Sequence, residues 1–428
     1  MTEMQDLQQD LQIERLGQRG EGIAHADGKT IYVPYALAGE TVRAEIDGER
    51  GQLVDILKPS PDRIEAVCPY YGTCGGCAVQ TLDAPAYATW KRDLVATTLK
   101  HARVEAEVGA LVDAHGDGRR RATFHARYGR RGEVDVGYMK SRAHEIVAIE
   151  MCPILAPSMA GALPAARAIA QVLKASGKPL DILVTATLTG LDIDVKGHGP
   201  LTPQLMEKLT SVAATQNLAR LSNHGLLVIE RRPPLLRMGR AEVTPPPGAF
   251  LQATEAGEIA LADTVREATA GSRRILDLFA GVGTFSLRLA ESAHVHAADT
   301  DAAALAALAR AAKDTSDLRP VTTQTRDLFR RPLAGTELDA YDAAIFDPPR
   351  AGAEAQAKAL AASAVPLIVA VSCNPASFAR DVGLLAAAGY ELAQVTPFDQ
   401  FRYSPHVEII GILRKAGSKS RRNRRLLA

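Results

Sequence analysis

A chain of 428 residues exceeds the roughly 100–200 residues of a typical domain, so two or three folded units are expected. The hydrophobic fraction of 46% is ample for packed cores, and a net charge of +1 leaves local clusters as the only charge signal of a nucleic-acid partner. No run of about 18 apolar residues appears, and the polar, acidic start MTEMQDLQQD does not read as a signal or transit peptide, so a soluble, cytoplasmic chain without a membrane partner is expected.

Residues 10–58 alternate short β-like runs (IYVPY, TVRAEI, QLVDIL) with glycine turns at Gly20, Gly22, Gly28, Gly39 and Gly48, the pattern of a small β-barrel over residues 1–62. A cysteine-dense knot at 68–77 opens a central α+β region, expected over 63–245. It mixes helical stretches (PAYATWKRDLVATTLKHA, MAGALPAARAIAQVLKAS) with strands such as DILVTATLT and GLLVIER. Pro245, Pro246 and Pro247 cannot continue a helix or a central strand and mark a linker. From 246 to 414 the strand candidates RILDLF, HVHAAD, DAAIFD and LIVAVS alternate with alanine-rich amphipathic helices, which predicts a parallel α/β sheet. Residues 415–428 form a basic tail, with Lys415, Lys419, Arg421, Arg422, Arg424 and Arg425, and no internal repeat is found.

The run ILDLFAGVGTFSLRLA places Asp277 and Phe279 at a strand end and Gly281 and Gly283 in the turn that opens a helix. A dinucleotide fingerprint would need a third glycine at 286, where the chain has Ser286, so a nicotinamide or flavin is disfavoured. Asp299, ending the next strand candidate, can accept bonds from both ribose hydroxyls of an adenosyl group, and this fits S-adenosylmethionine. Two later strand ends carry Asp347-Pro348-Pro349-Arg350 and Cys373-Asn374, at the edge that faces the ligand crevice of an open parallel sheet.

This constellation resembles the uracil-5-methyltransferases of tRNA and ribosomal RNA over nearly the whole chain. A glutamine ahead of the cofactor strand (Gln252 in PGAFLQAT), the glycine turn, the DPPR loop, the SCNP loop and a late H-x-E (His406-Val407-Glu408) follow in the family's order. The resemblance implies a Rossmann-like class I methyltransferase domain in which Gln252, Phe279, Asp299, Asp327 and Asp347 line the cofactor and uracil pocket. It makes Cys373 the nucleophile and Glu408 the base. Thr254 and Thr284 stand where the family often carries asparagine, and Thr284 is retained as a cofactor-site candidate. The family's D-M-F-P-H-T approach reads FDQFRYSPHVE, so Asp399 and Phe401 match loosely and take no role. Apart from the family, Glu408 in HVEIIGIL would read as a surface residue. Chemistry asks for the same set: carbon 5 of uracil attacks a methyl sulfonium only after a thiolate has added at carbon 6, and a carboxylate must then remove the carbon-5 proton.

Cys68, Cys74 and Cys77 are spaced C-x5-C-x2-C, and Cys152 is available as a fourth ligand. Four thiolates suit zinc or an iron–sulfur cluster, and spacing does not choose. The ribosomal-RNA branch of the family carries a [4Fe–4S] cluster on a CPxxGxCGGC pattern, so the resemblance implies iron. The N-terminal stretch likewise resembles the TRAM domain, an OB-like RNA-binding barrel. The barrel and the cysteines together favour 23S ribosomal RNA over tRNA as partner, and no obligate protein partner is indicated. Residues Arg119 to Arg131 interleave basic side chains with Phe124, His125 and Tyr128, which reads as a phosphate-binding strip or as a solvated hairpin. Two competing readings are a non-enzymatic RNA-binding iron–sulfur protein and an amino-group methyltransferase. The second ordinarily needs an aromatic after Pro-Pro, where Arg350 stands.

Overall fold

The computed structural model describes residues 8–129, 132–141, 143 and 145–416. Arg130, Arg131 and the basic tail from Lys419 onward lie outside the described residues. The chain builds three principal sheets.

The first has six strands, from Gln8–Gln12 to Arg50–Lys58, wrapped round a core of Ile13, Ile31, Val33, Val42 and Ala44. The second has seven strands, with Arg121–Tyr128 hydrogen-bonded between Val134–Met139 and Leu180–Thr187. Its core packs against the helices Ala162–Leu173 and Pro203–Thr215.

The third sheet carries the expected parallel grammar. Its strand order is Val321–Thr325, His294–Asp299, Arg274–Leu278, Ala343–Phe346, Leu367–Ser372, Glu408–Lys415, Tyr390–Asp399 and Val112–Asp113. The first five are parallel, and Glu408–Lys415 runs antiparallel to both its neighbours. Alternate residues feed two cores: Leu276, Leu278, Ile368 and Ala370 face one, and Ile275, Ile345, Val369 and Val371 the other. Both faces are therefore buried, which is why these strands read as continuous apolar runs. Sequence order reverses across the adjacent strands Arg274–Leu278 and Ala343–Phe346, and ligand crevices open at the carboxyl ends beside such a point.

The stretch expected as one central region divides between two sheets. Helix Ala84–His101 is capped by Asp83, whose side chain accepts the Ala86 N–H, and it sends Val95 and Leu99 into a core of the third sheet. Strand Val112–Asp113 extends the third sheet beside Tyr390–Asp399. The hairpin Leu236–Met238/Ala241–Val243, just before the proline run, also packs on the helix Ala302–Asp314 of that sheet. The proline run itself is held: the Pro245 carbonyl accepts the buried Arg220 guanidinium at 2.9 Å.

Candidate active site

The cofactor side is a strained turn. Phe279 adopts φ +62° and Gly283 φ +99°, left-handed backbone that costs a non-glycine residue about 1–3 kcal/mol and persists where the surroundings impose it. A Cβ on Gly283 would sit 2.4 Å from Leu308 Cδ1, so the turn and the helix Ala302–Asp314 approach each other through that missing side chain. Asp299 Oδ2 accepts the Gly281 N–H at 2.9 Å, and Oδ1 accepts the Asp301 N–H at 2.9 Å. The carboxylate is thereby fixed at its strand end, and each oxygen keeps a second lone pair for a ligand hydroxyl. Ser286, which breaks the dinucleotide fingerprint, donates its hydroxyl to buried Asp277 Oδ2 at 2.5 Å. The ring of Phe279 lies 5.5 Å from that of exposed Phe329, whose N–H is accepted by Asp327 Oδ1 at 3.0 Å. Phe329 had no motif to announce it. Thr284 is present through its carbonyl, which accepts Arg288 Nη1 at 2.8 Å. Thr254 caps the helix Glu255–Ala268, with its Oγ1 accepting the Gly257 N–H at 2.9 Å and donating to the Ala114 carbonyl at 2.6 Å.

The candidate catalytic residues follow along the same edge. Cys373 leaves the strand Leu367–Ser372 immediately before Asn374, whose side chain caps the helix Pro375–Ala387 and also donates to the Arg350 carbonyl at 3.1 Å. The antiparallel register pairs Ser372 with Ile409, which sets Glu408 beside Cys373. Glu408 is buried, contrary to the surface position its strand context suggested, and its Oε2 has no protein partner. Burial, then the charge of Asp347, hold the Glu408 carboxyl well above the usual carboxylate range, against the Gln400 amide, Arg350 and Lys91. Burial also pushes the Cys373 thiol up to about 11, with Glu408 and Asp347 adding to the shift and Arg350 opposing it. A chain of amides joins these carboxyls: Gln252 Nε2 donates to Asp347 Oδ2 at 3.1 Å, and Gln400 Nε2 donates to Gln252 Oε1 at 2.6 Å. Gln400, fully buried, is a site residue that no sequence motif indicated. Asp347 and Asp277 are both raised to about 7, chiefly by burial and then, for Asp347, by the charge of Asp277. Asp327, Asp299, Phe279, Asp347, Cys373 and Glu408 thus occupy one edge of one sheet.

Residues 246–416 match the tRNA (Uracil-5-)-methyltransferase family, and residues 8–52 match the TRAM domain. The chain is 43% identical to an uncharacterized RNA methyltransferase of Rhizobium meliloti, over 94% of this chain and 98% of that one. It is 32% identical to the 23S rRNA (uracil(1939)-C(5))-methyltransferase of Hahella chejuensis, over 95% and 97% of the two chains. The chain belongs to the RNA uracil-5-methyltransferase family. It is an S-adenosylmethionine-dependent enzyme of that family. Its fold is shared by Pyrococcus abyssi tRNA (uracil-54, C5)-methyltransferase in complex with S-adenosyl-L-homocysteine, with a TM-score of 0.72, 22% identity and 94% and 99% coverage.

In this uracil-5-methyltransferase chain the three cysteines of the knot and Cys152 are free and half-buried. Their charges bear on one another: Cys68, Cys74 and Cys152 all disfavour the thiolate of Cys77, which burial alone pushes up most, to about 12 overall. Cys68 and Cys74 act likewise on Cys152. Among the described residues no three His, Cys, Asp or Glu side chains are arranged to hold a metal ion. The knot docks on both neighbours, since the Gly75 N–H donates to the Met139 carbonyl at 2.9 Å and the Ala78 N–H to the Tyr403 carbonyl at 2.7 Å.

The basic strip needs correction. Phe124 is fully buried in the central core, because it lies on the inward face of a mid-sheet strand, and Tyr128 donates to the Ala170 carbonyl. Arg120 is buried in an ion pair with Glu258, and the His125 ring bonds Asp181. Among the described residues of the strip, Arg119 lies over the Phe401 ring at 5.8 Å and Arg121 over the exposed Phe250 ring at 5.8 Å. Arg119 and Arg350 line a cleft of about 730 Å³, together with barrel residues Arg19 and Tyr35, knot residue Cys77 and His406. No helix among the described residues is long and apolar enough to cross a membrane.

Proposed function

We propose that the chain transfers a methyl group to carbon 5 of a uridine in 23S ribosomal RNA through a covalent adduct with Cys373. The observation that carries this reading is the register that sets Glu408 beside Cys373 on the edge shared with the glycine turn. Bound S-adenosylmethionine supplies an electrophilic methyl group. Gln252, Phe279, Thr284, Asp299, Asp327 and Asp347 surround the space for it and for the uracil ring. Cys373 loses its proton and adds to carbon 6, which places electron density on carbon 5. After methylation, Glu408 takes the carbon-5 proton, the electron pair of that C–H bond re-forms the ring double bond, and the bond from Cys373 Sγ to carbon 6 breaks. A carboxyl held well above its usual range in a dry site is a strong proton acceptor once ionised, which suits Glu408 to that step. Such attack needs both faces of the base, so the uridine is flipped into the cleft. The 32% identity, over 95% of this chain, to the Hahella 23S rRNA methyltransferase supports ribosomal RNA as substrate.

Glu408→Gln keeps size but removes basicity, so methylated RNA should accumulate on the protein, stable to denaturing electrophoresis. Cys373→Ala should remove both the band and the methylation. Normal multiple turnover by Glu408→Gln would overturn the assignment. Mapping of 5-methyluridine in RNA from a strain lacking the protein tests the substrate, and unchanged 23S RNA refutes it.

We infer that Cys68, Cys74, Cys77 and Cys152 are the thiols that would hold a [4Fe–4S] cluster, one cysteine to each iron, a reading supported by the charge effects these four thiols exert on one another. Such a cluster would brace the knot against the Tyr403 loop and the central sheet and take no part in methyl transfer. Anaerobically purified protein should hold about four irons per chain. Stoichiometric zinc without iron would refute the cluster.

A further inference from the structure

Lys91 sits on the apolar stripe of the helix Ala84–His101 and is fully buried. Its ammonium donates to Asp399 Oδ1 at 2.8 Å, to the Phe401 carbonyl at 3.3 Å and to the His406 carbonyl. All three of its donor positions are thereby used. Asp399 Oδ2 accepts the Tyr87 hydroxyl at 2.7 Å, and the Tyr87 oxygen in turn accepts the Tyr403 N–H at 2.8 Å. The two carbonyls bracket residues 401–406, the segment that delivers Glu408 to the start of its strand.

We propose that Lys91 is a positioning residue for Glu408, pinning both ends of the 401–406 loop and placing a desolvated positive charge behind the carboxylate that takes the carbon-5 proton. The proposal rests on the reading of Glu408 as that base. A buried ion pair kept only to dock a helix gains little, since well-packed apolar residues do as well or better. Here the cation meets two backbone carbonyls besides its carboxylate, and all three acceptors belong to the segment ending at the base.

The groups facing Glu408 come from four places. Asp347 and Arg350 act from the DPPR loop, Cys373 from the next strand end, Lys91 from the helix, and the neutral Gln400 amide from its own approach. His406, two residues away, is held neutral by burial, Arg350, Lys91 and Arg119. Lys91 and Arg350 favour the ionised base, and Asp347 opposes it. Loss of the Lys91 charge therefore drives the base toward its protonated form, and the acidic limb of the release step moves to higher pH.

The experiment compares Lys91→Met and Lys91→Met/Asp399→Asn with wild type in the full-length holoenzyme. The readouts are single-turnover methyl transfer, covalent complex on denaturing gels, the pH profile of release, and melting temperature. Methyl transfer should change little, while release slows by about 100-fold, the loss that a misplacement near 1 Å can cause. Covalent complex should accumulate, and the acidic limb should shift upward. The double variant, whose buried pair is neutral, should recover melting temperature without recovering release. Wild-type release with an unshifted limb in either variant would overturn the proposal, as would recovery of stability and release together in the double variant. Should Lys91→Met alone not fold, the double variant decides. If Glu408→Gln itself turns over normally, the reading of the base fails. If Glu408→Gln traps RNA and the Lys91 variants do not, only the role of Lys91 fails.

Discussion

Burial holds Cys373 toward its thiol form, and Glu408, the proposed base, is among the groups that add to this. Burial dominates, Glu408 and Asp347 add repulsion, and Arg350 and a backbone hydrogen bond favour the thiolate. RNA-free enzyme should therefore react slowly with iodoacetamide at neutral pH and accelerate as pH climbs toward about 11. Removing a cation raises a thiol's pKa and thins the thiolate at any pH below it, so Arg350→Ala should slow alkylation further. Alkylation of Cys373 by mass spectrometry checks both, and rapid labelling at pH 7 would contradict the environment described. At this scale the sequence was readable where chemistry leaves a short motif, as with Cys373, Asp347 and Gln252. It was silent on Gln400 and Lys91, because what qualifies them is contact with residues far along the chain: Lys91 and Asp399 are 308 positions apart.

Elements were legible wherever burial imposes a period. The strands of the catalytic sheet followed from apolar runs, and Asn374 and Asp301 cap helices as short polar side chains do. The strip around Phe124 was misjudged because a mid-sheet strand with one buried face alternates polar and aromatic residues just as a nucleic-acid surface does. The tightest local demand is in the glycine turn. Gly281 has φ +53° with nothing near its missing Cβ, whereas Gly283 combines φ +99° with the close approach of Leu308. Gly281→Ala should cost about 1 kcal/mol of stability, the left-handed penalty alone. Gly283→Ala should cost more, about 2–4 kcal/mol, and also weaken S-adenosylmethionine binding, because the helix must shift to clear the methyl group. Chemical denaturation and titration calorimetry measure the two effects, and equal costs at both positions would contradict the packing argument.

The layers of the whole molecule are fastened by buried charge. Glu258 accepts Arg120 from the central region at 2.5 Å and Arg288 at 2.7 Å, and Arg288 also holds the Thr284 carbonyl of the glycine turn. Glu258→Gln would leave two nearly buried guanidinium groups without their anion and should cost about 3–5 kcal/mol in chemical denaturation. A loss below about 1 kcal/mol would show the triad to be dispensable. None of this was legible in sequence, where Arg120 is one of six arginines within thirteen residues of a basic run. The interleaving of the catalytic sheet also has a consequence for how the protein is made. Its last strand, Glu408–Lys415, lies between Leu367–Ser372 and Tyr390–Asp399 rather than at an edge. On the ribosome, the helix Ala84–His101 must keep its greasy stripe and its lysine unsatisfied until Asp399, 308 positions after Lys91, has been made. A nascent chain halted before residue 408 has an open slot between those two strands, where the proposed proton acceptor belongs.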